Sequence, residues 1–190
     1  MTYARLGALK TYLGIAATTT ADDDLLENLL KRTTARIDQY CRRRFSALTA
    51  TRYYEADRVS GDILYLDDDL LTVTTLTNGD DDVTVIPSTE YWLIDRNQGP
   101  PYYGIRLKSD STYSWEVDQD CFISVTGTWG WSADPPDDIV QACIEWAGYL
   151  YRQKDSTGDV VVVPEAGMLT VPEGMPKTAK MALEPYVKLV

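Results

Sequence analysis

Histidine is absent from all 190 residues. Its absence removes the side chain most used as a general base and the commonest ligand of transition metals. Cysteine is scarce as well. Cys41, Cys121 and Cys143 are odd in number and widely spaced, which argues against a disulfide framework or a zinc site. They read as reduced, buried thiols of a cytosolic product. Phenylalanine is nearly missing, with two residues against 13 Tyr and five Trp. Tyr and Trp keep a polar handle, so this mix suits half-buried surfaces and interfaces better than a dry core. No apolar run reaches membrane-spanning length, and the opening MTYARLGALK lacks the apolar core of a signal peptide. The expectation is a soluble protein without membrane association.

Basic residues are the remaining shortage. Eighteen Lys and Arg face 29 Asp and Glu, a formal charge of −11. Such a chain does not hold a nucleic-acid backbone by counterion release, although DNA can slide past it without sticking.

The chemistry-bearing motifs are missing too. There is no G-x-S-x-G and no histidine to activate a serine or cysteine. Gly127 and Gly130 are not followed by Gly-Lys-Ser/Thr, so there is no phosphate-cradling loop. Nothing selects two of the 29 carboxylates as an acid–base pair. The triplets Asp67–Asp69 and Asp80–Asp82 lack the D-x-D-x-D-G spacing of a calcium loop, and neighbouring side chains in extended backbone point opposite ways. They read as solvated turns. No catalytic residue, metal site or cofactor is expected.

What is present is a well-marked helix. In Gly127–Asp155, Asp134 suits the N-cap and Pro135 or Pro136 the first helical position, while Asp137 and Asp138 face the positive end of the dipole. Ile139, Cys143, Trp146 and Leu150 form one apolar row, with Val140, Ala147 and Tyr151 beside it. A helix apolar round most of its circumference is buried centrally or wedged between its own bundle and a neighbour.

Three further helices are legible. Leu6, Leu9 and Leu13 line a short one between a Thr2 cap and a Gly14 stop. Leu26, Leu29, Leu30, Thr33, Ile37, Tyr40 and Cys41 give the register of a second, which opens on Asp22, Asp23 and Asp24 and closes on Arg42, Arg43 and Arg44. That charge polarity fits the helix dipole. That is the simpler reading; the sharper one is a head-to-tail ring in which the basic end of one subunit meets an acidic patch of the next, since the two ends lie roughly 30 Å apart within one chain. The last helix runs from Pro176 to Glu184.

Between these lie short β-prone runs: TRYYEAD, DILYLD, LTVTTLTNG, DVTVIP, EYWLID, GIRLKSD and CFISVTGTWGW. Asn78-Gly79 is a hairpin signal, and Asn97, Gly99, Pro100 and Pro101 mark a longer turn. The fold class is therefore α+β: a small helical bundle, with helices near 2–14, 22–44, 135–153 and 176–184, carries an antiparallel β insertion at about 48–131. Residues 1–47 and 132–190 form the helical module. Residues 156–175 make an extended arm or hairpin, with Val160, Val161, Val162 and Val163 on one side and Met168, Leu169 and Val171 on the other. Such an arm either folds on its own domain or pairs with another chain.

Three passages resemble the phage head–tail connector family, the adaptor proteins that sit beneath the portal. The first is Y-A-R-L-G-A-L-K-T-Y-L-G-I with D-D-D-L-L-E-N-L-L and A-R-I-D-Q-Y-C-R-R-R-F. The second is V-T-G-T-W-G-W-S-A-D-P-P-D-D-I-V-Q-A-C with its helix through Y-L-Y-R-Q-K-D, and the third is M-P-K-T-A-K-M-A-L-E-P-Y. Together they cover both ends and roughly half of the chain, in the family's order. The β region is larger here than in the mostly helical minimal members.

The resemblance implies a non-enzymatic virion protein of the neck, made in the host cytoplasm. Its partners would be copies of itself in a ring, typically twelve-fold, the portal above, and the tail or stopper below. DNA would pass the lumen without sequence-specific binding. The arm between the third and fourth helices would grip the portal or a neighbour. Candidate ring contacts are Arg42, Arg43, Arg44, Asp22, Asp23 and Asp24, with Trp146 and Tyr149 on the apolar helix. A different reading takes stacked aromatics of the β region such as Tyr53, Tyr54, Tyr91, Trp92, Tyr102, Tyr103, Trp115, Trp129 and Trp131 as the platform of a carbohydrate-binding module of a virion.

Overall fold

The helical bundle is built from both ends of the chain. In the computed structural model, which describes residues 2–117, 121–154 and 174–188, two compact units separate: Met1–Arg42 with Pro136–Val190, and Arg43–Pro135. The helices are α1 (Leu6–Leu13), α2 (Asp23–Cys41), α3 (Asp137–Arg152) and α4 (Lys177–Leu183). With the sheet described below they make a mixed α+β fold, as the sequence predicts.

The apolar helix is the hub of its unit. α3 packs against α1, α2 and α4, and Ile139, Ala142, Cys143, Ile144, Trp146, Ala147 and Gly148 are buried along it. α1 lies close because position 148 has no side chain: a Cβ there would sit 2.7 Å from Cε1 of Tyr12. α2 contributes Leu26, Leu29, Leu30, Thr33, Thr34, Ile37 and Cys41. Tyr40 is only half-buried and Thr34 takes a core place instead, its hydroxyl accepting the Tyr3 N–H at 3.1 Å.

Three helix ends differ from the sequence reading. α1 begins at Leu6 after an extended Arg5, not at a Thr2 cap. Tyr3 and Ala4 are buried, and the Tyr3 bond to Thr34 holds that segment outside the helix. α2 stops at Cys41, because Arg42 turns left-handed at φ 53°. Its last turn therefore carries no basic residue, and Arg43 and Arg44 lie beyond the helix. The residue before α3 is Pro136 in extended conformation, not Asp134; Asp137 and Asp138 do occupy the first turn.

The second unit is a six-stranded antiparallel sheet of β1 (Leu48–Tyr54), β2 (Val59–Ser60), β3 (Ile63–Thr77), β4 (Tyr91–Ile94), β5 (Tyr102–Leu107) and β6 (Ile123–Trp129). Their order is β1-β6-β3-β5-β4, with β2 on β3. β1 and β6 pair without a shift from Leu48↔Trp129 to Tyr54↔Ile123. β3 is shared: its first part pairs with β5 and Leu70–Thr77 with β6, with register shifts that bend the strand. β6 alternates buried and half-buried residues along its whole length. Its inward row of Ile123, Val125 and Trp129 meets Leu64, Leu70, Leu76 and Ile105, all at most 1% exposed. Gly127 continues that row because β3 comes very near: a Cβ there would lie 2.1 Å from the Thr72 carbonyl oxygen.

Three strand expectations are corrected. The runs DILYLD and LTVTTLTNG are one strand, β3, which passes through Asp67–Asp69. DVTVIP forms no strand; it makes one isolated bridge, Thr77↔Val85. Asn78-Gly79 is not the tip of a tight hairpin, since the chain closes wider, with Asn78 N–H donating to Thr84 O at 2.8 Å and Ile86 N–H to Leu76 O at 2.9 Å. Buried Asn78 instead clamps the loop before β6, donating to Ser114 O at 2.8 Å and accepting from Glu116 N–H at 3.0 Å.

Candidate interaction surfaces

The acidic start of α2 is tied into its own unit. Lys10 is 5% exposed and pairs with Asp23 at 2.5 Å, while its ammonium donates to Thr19 O at 2.8 Å. One buried cation thus fixes the Thr-rich link between α1 and α2. Asp22 accepts from Lys154 at 2.7 Å and from the Tyr151 hydroxyl at 2.6 Å. Those hydrogen bonds, from Lys154 first and Tyr151 second, hold its carboxyl below the ordinary range, and the same contact raises the Lys154 ammonium. Asp24 remains exposed.

The arginine triplet is divided likewise. Arg42 and Arg44 are exposed, whereas Arg43 is half-buried. One nitrogen of Arg43 reaches both oxygens of Asp69, at 2.8 and 2.9 Å, and its guanidinium lies 4.7 Å from the Trp131 ring centroid. Trp131 also meets Phe45 at 6.5 Å. This cluster stands where the chain enters and leaves the β unit. The two segments are joined by Trp131 N–H to Arg44 O at 2.7 Å and Ala47 N–H to Ala133 O at 3.3 Å.

Trp146 is buried, its Nε1–H donating to Gly174 O at 2.7 Å with the Arg36 guanidinium 5.7 Å over the ring. Tyr149 is half-buried. The arm residues Val160, Val161, Val162, Val163, Met168, Leu169 and Val171 lie outside the described residues.

Asp67–Asp69 is no solvated turn. The Tyr54 hydroxyl donates to Asp67 at 2.9 Å, Arg52 pairs with Asp68, and Asp69 is buried against Arg43. Burial first, and the nearby Asp67 charge second, push the Tyr54 phenol well above its ordinary value. Asp80 does sit in a turn, where the Thr84 hydroxyl and N–H, at 2.5 and 2.7 Å, hold its carboxyl low. Among the described residues, no group of three or more His, Cys, Asp or Glu is placed to hold a metal ion, and no helix is long and apolar enough to cross a membrane.

The thiols separate by environment. Cys41 and Cys143 are buried and Cys121 is partly exposed. Burial pushes the Cys143 thiol up to about 11, so at neutral pH it holds its proton and is a poor nucleophile. Maleimide labelling of the native protein followed by mass spectrometry is expected to modify Cys121 alone, and all three cysteines after denaturation. Equally fast labelling of Cys143 in the native state would contradict this burial.

Outside these contacts the sheet presents two distinct surfaces. Across β1, β6 and β3 the outward rows are Thr49-Thr128-Thr72, Thr51-Thr126-Thr75 and Tyr53-Ser124, the last ending on buried Thr77. They are uncharged and linked by hydroxyl bonds, Thr51–Thr126 at 2.8 Å and Thr77–Ser124 at 2.6 Å. At the β4–β5 edge, by contrast, Trp92 is 44% exposed and faces Arg106 across the ladder. The Arg96 guanidinium and the Lys108 ammonium lie 4.2 and 4.1 Å from its ring centroid. The sequence reading includes Trp92 among its platform aromatics but misses the cations gathered round it. The one available signal was the pair of β runs flanking the Gly99–Pro101 turn, which fold residues 92 and 106 together.

No family model and no curated protein matches the sequence. The fold does have solved counterparts. A chain from the neck of an empty gene transfer agent (GTA) particle, computed with C6 symmetry, superposes with a TM-score of 0.68 at 17% identity, covering 99% of this chain and 91% of that one. A chain from the virion of a native GTA particle gives 0.65 at 18%, over 99% and 91%. A chain from the neck of a native GTA particle, computed with C12 symmetry, gives 0.62 at 17%, over 99% and 90%. The chain thus shares, along nearly its whole length, a fold found in GTA necks and virions.

Proposed function

We propose that this chain is a structural subunit of the neck of a tailed-phage-like particle, an adaptor that forms a ring between portal and tail or stopper. The observation that carries the reading is the likeness of fold, over 99% of the chain and with TM-scores of 0.68 and 0.62, to chains of GTA necks. The connector-like passages at both ends of the sequence support it independently. The reading is non-enzymatic: the ring positions partners and leaves a passage for DNA. Twelve copies at −11 each bring −132 formal charges, and a negative lumen lets DNA move by repulsion rather than adhesion. Residues 156–175 are proposed to grip the portal or a neighbour, and exposed Asp24, Arg42 and Arg44 are the members of the charged triplets left for ring contacts.

Cryo-electron microscopy of assembled particles containing this chain tests the proposal. The expected image is a closed ring of copies at the portal–tail junction, with residues 156–175 against the portal or the next subunit. Particles whose neck lacks the chain, or hold it as isolated copies, would overturn it.

A further inference from the structure

The β unit, Arg43–Pro135, holds 16 acidic and seven basic residues, a formal −9. Two of those cations, Arg43 and Arg52, pair with Asp69 and with Asp67 and Asp68. Three of the remaining five, Arg96, Arg106 and Lys108, gather about the half-exposed Trp92. Arg106 is partly neutralised by Asp62 at 3.5 Å. Among the described residues, no carboxylate forms an ion pair with Arg96 or Lys108. Two cations around one indole repel each other, and the ring's quadrupole offsets only part of that repulsion. An external anion relieves the rest. A shallow cleft of about 220 Å³ opens beside the ring between Trp92, Ile94, Arg96, Asn97 and Arg106, with Asp95 in its wall.

We propose that this patch is the cationic half of a contact between adjacent copies of the chain, and that it receives carboxylate-bearing surface from the β unit of the next copy. The sign of the charge selects the occupant. Two units of −9 repel each other in most orientations, and the Trp92 patch is a place where one attracts the rest of another. The contact joins unlike surfaces, so repetition closes into a ring or runs on as a filament. This rests on the ring reading above, and the C6 and C12 symmetries of the similar assemblies accord with it. DNA fits less well, because phosphates on a patch this small meet the surrounding carboxylates within about a Debye length, roughly 10 Å. An exposed indole is also the kind of anchor that protein contacts cover.

The test uses the full chain. Sedimentation velocity at low and high salt is run on the wild type and on the Arg96→Glu/Lys108→Glu double variant, with circular dichroism to verify folding. A Trp92→p-benzoylphenylalanine variant is photo-crosslinked in parallel, and electron microscopy records the shape of the assemblies. Self-association of the wild type is expected at low salt and should weaken as salt rises. Charge reversal should raise its dissociation constant about tenfold or more, and crosslinks from position 92 should land on the β unit of another copy. Three results overturn the proposal: a wild type that stays monomeric at low salt, a folded double variant that associates normally, or crosslinks to DNA or to a different protein. Rings formed by the double variant sink this contact and leave the ring reading intact. Association through Trp92 that yields only open chains sinks the ring reading and leaves the contact.

Discussion

Trp129→Ala is expected to lower the stability of the β unit by about 3–5 kcal/mol, a large share of the roughly 5–15 kcal/mol that holds a domain together. The indole is fully buried at the end of β6, among the inward rows of β1 and β3. Its Nε1–H donates to Ala50 O at 3.0 Å, and the Arg52 guanidinium lies 4.8 Å from the ring centroid. Truncation therefore opens a cavity, strips a carbonyl of its donor and leaves Arg52 without its platform. Trp129→Phe separates these effects: most of the apolar volume stays and the hydrogen bond goes, for about 1–3 kcal/mol. Urea titrations followed by near-ultraviolet dichroism measure both. A Trp129→Ala loss below about 1 kcal/mol would mean that this residue does not anchor the sheet.

The second large effect is expected at the mouth of the same unit. Asp69 is 4% exposed, and its carboxylate accepts both hydrogen bonds from Arg43. Removing one partner of a buried pair leaves the other charge uncompensated, at about 3–5 kcal/mol. The Arg43 side chain keeps 18% exposure, so solvent screening brings Asp69→Ala down to about 2–3 kcal/mol. Arg43→Ala removes the charge and also the stacking on Trp131. Because the two residues act as a unit, the double variant is expected to lose less than the sum of the singles, by about 1 kcal/mol or more. Additivity within about 0.5 kcal/mol would show that the pair is not coupled.

The pair also shows why the sequence is legible in some places and opaque in others. The helices declare themselves locally, because the rows in α2 and α3 need only their own spacing. The exceptions are Tyr40 and Thr34 in α2, half-buried Val140, Leu150 and Tyr151 in α3 where Ala142, Ile144 and Gly148 are buried as well, and the helix ends. Those ends are set by distant residues, as where Thr34 draws Tyr3 out of α1. Asp67–Asp69 looks like a turn because three adjacent carboxylates are poor strand formers. They lie inside β3 only because Tyr54, Arg52 and Arg43 arrive from β1 and the segment before it to satisfy them, and no local window contains those partners. Asn78-Gly79 misleads for a related reason. Asn78 is spent on Ser114 and Glu116, more than 30 residues away, so the pair serves a loop clamp instead of a hairpin tip. In sequence the charged triplets stand as whole clusters, and the fold distributes them among Lys10, Lys154 and Asp69. The Trp92 patch draws on residues 92, 96, 106 and 108, which only the β4–β5 pairing brings together.

The paired segments at the mouth of the β unit have a consequence for how such chains diversify. Arg44 and Trp131 are hydrogen-bonded neighbours, so the two cut ends left by excising the sheet would lie about one strand spacing apart, roughly 5 Å. A gap of that size is bridged by a two-residue turn. The sheet is therefore a cassette inserted through two closely spaced chain ends. A lineage can lose it, enlarge it or exchange it for another fold whose chain ends lie equally close, while the helices keep their own covalent geometry.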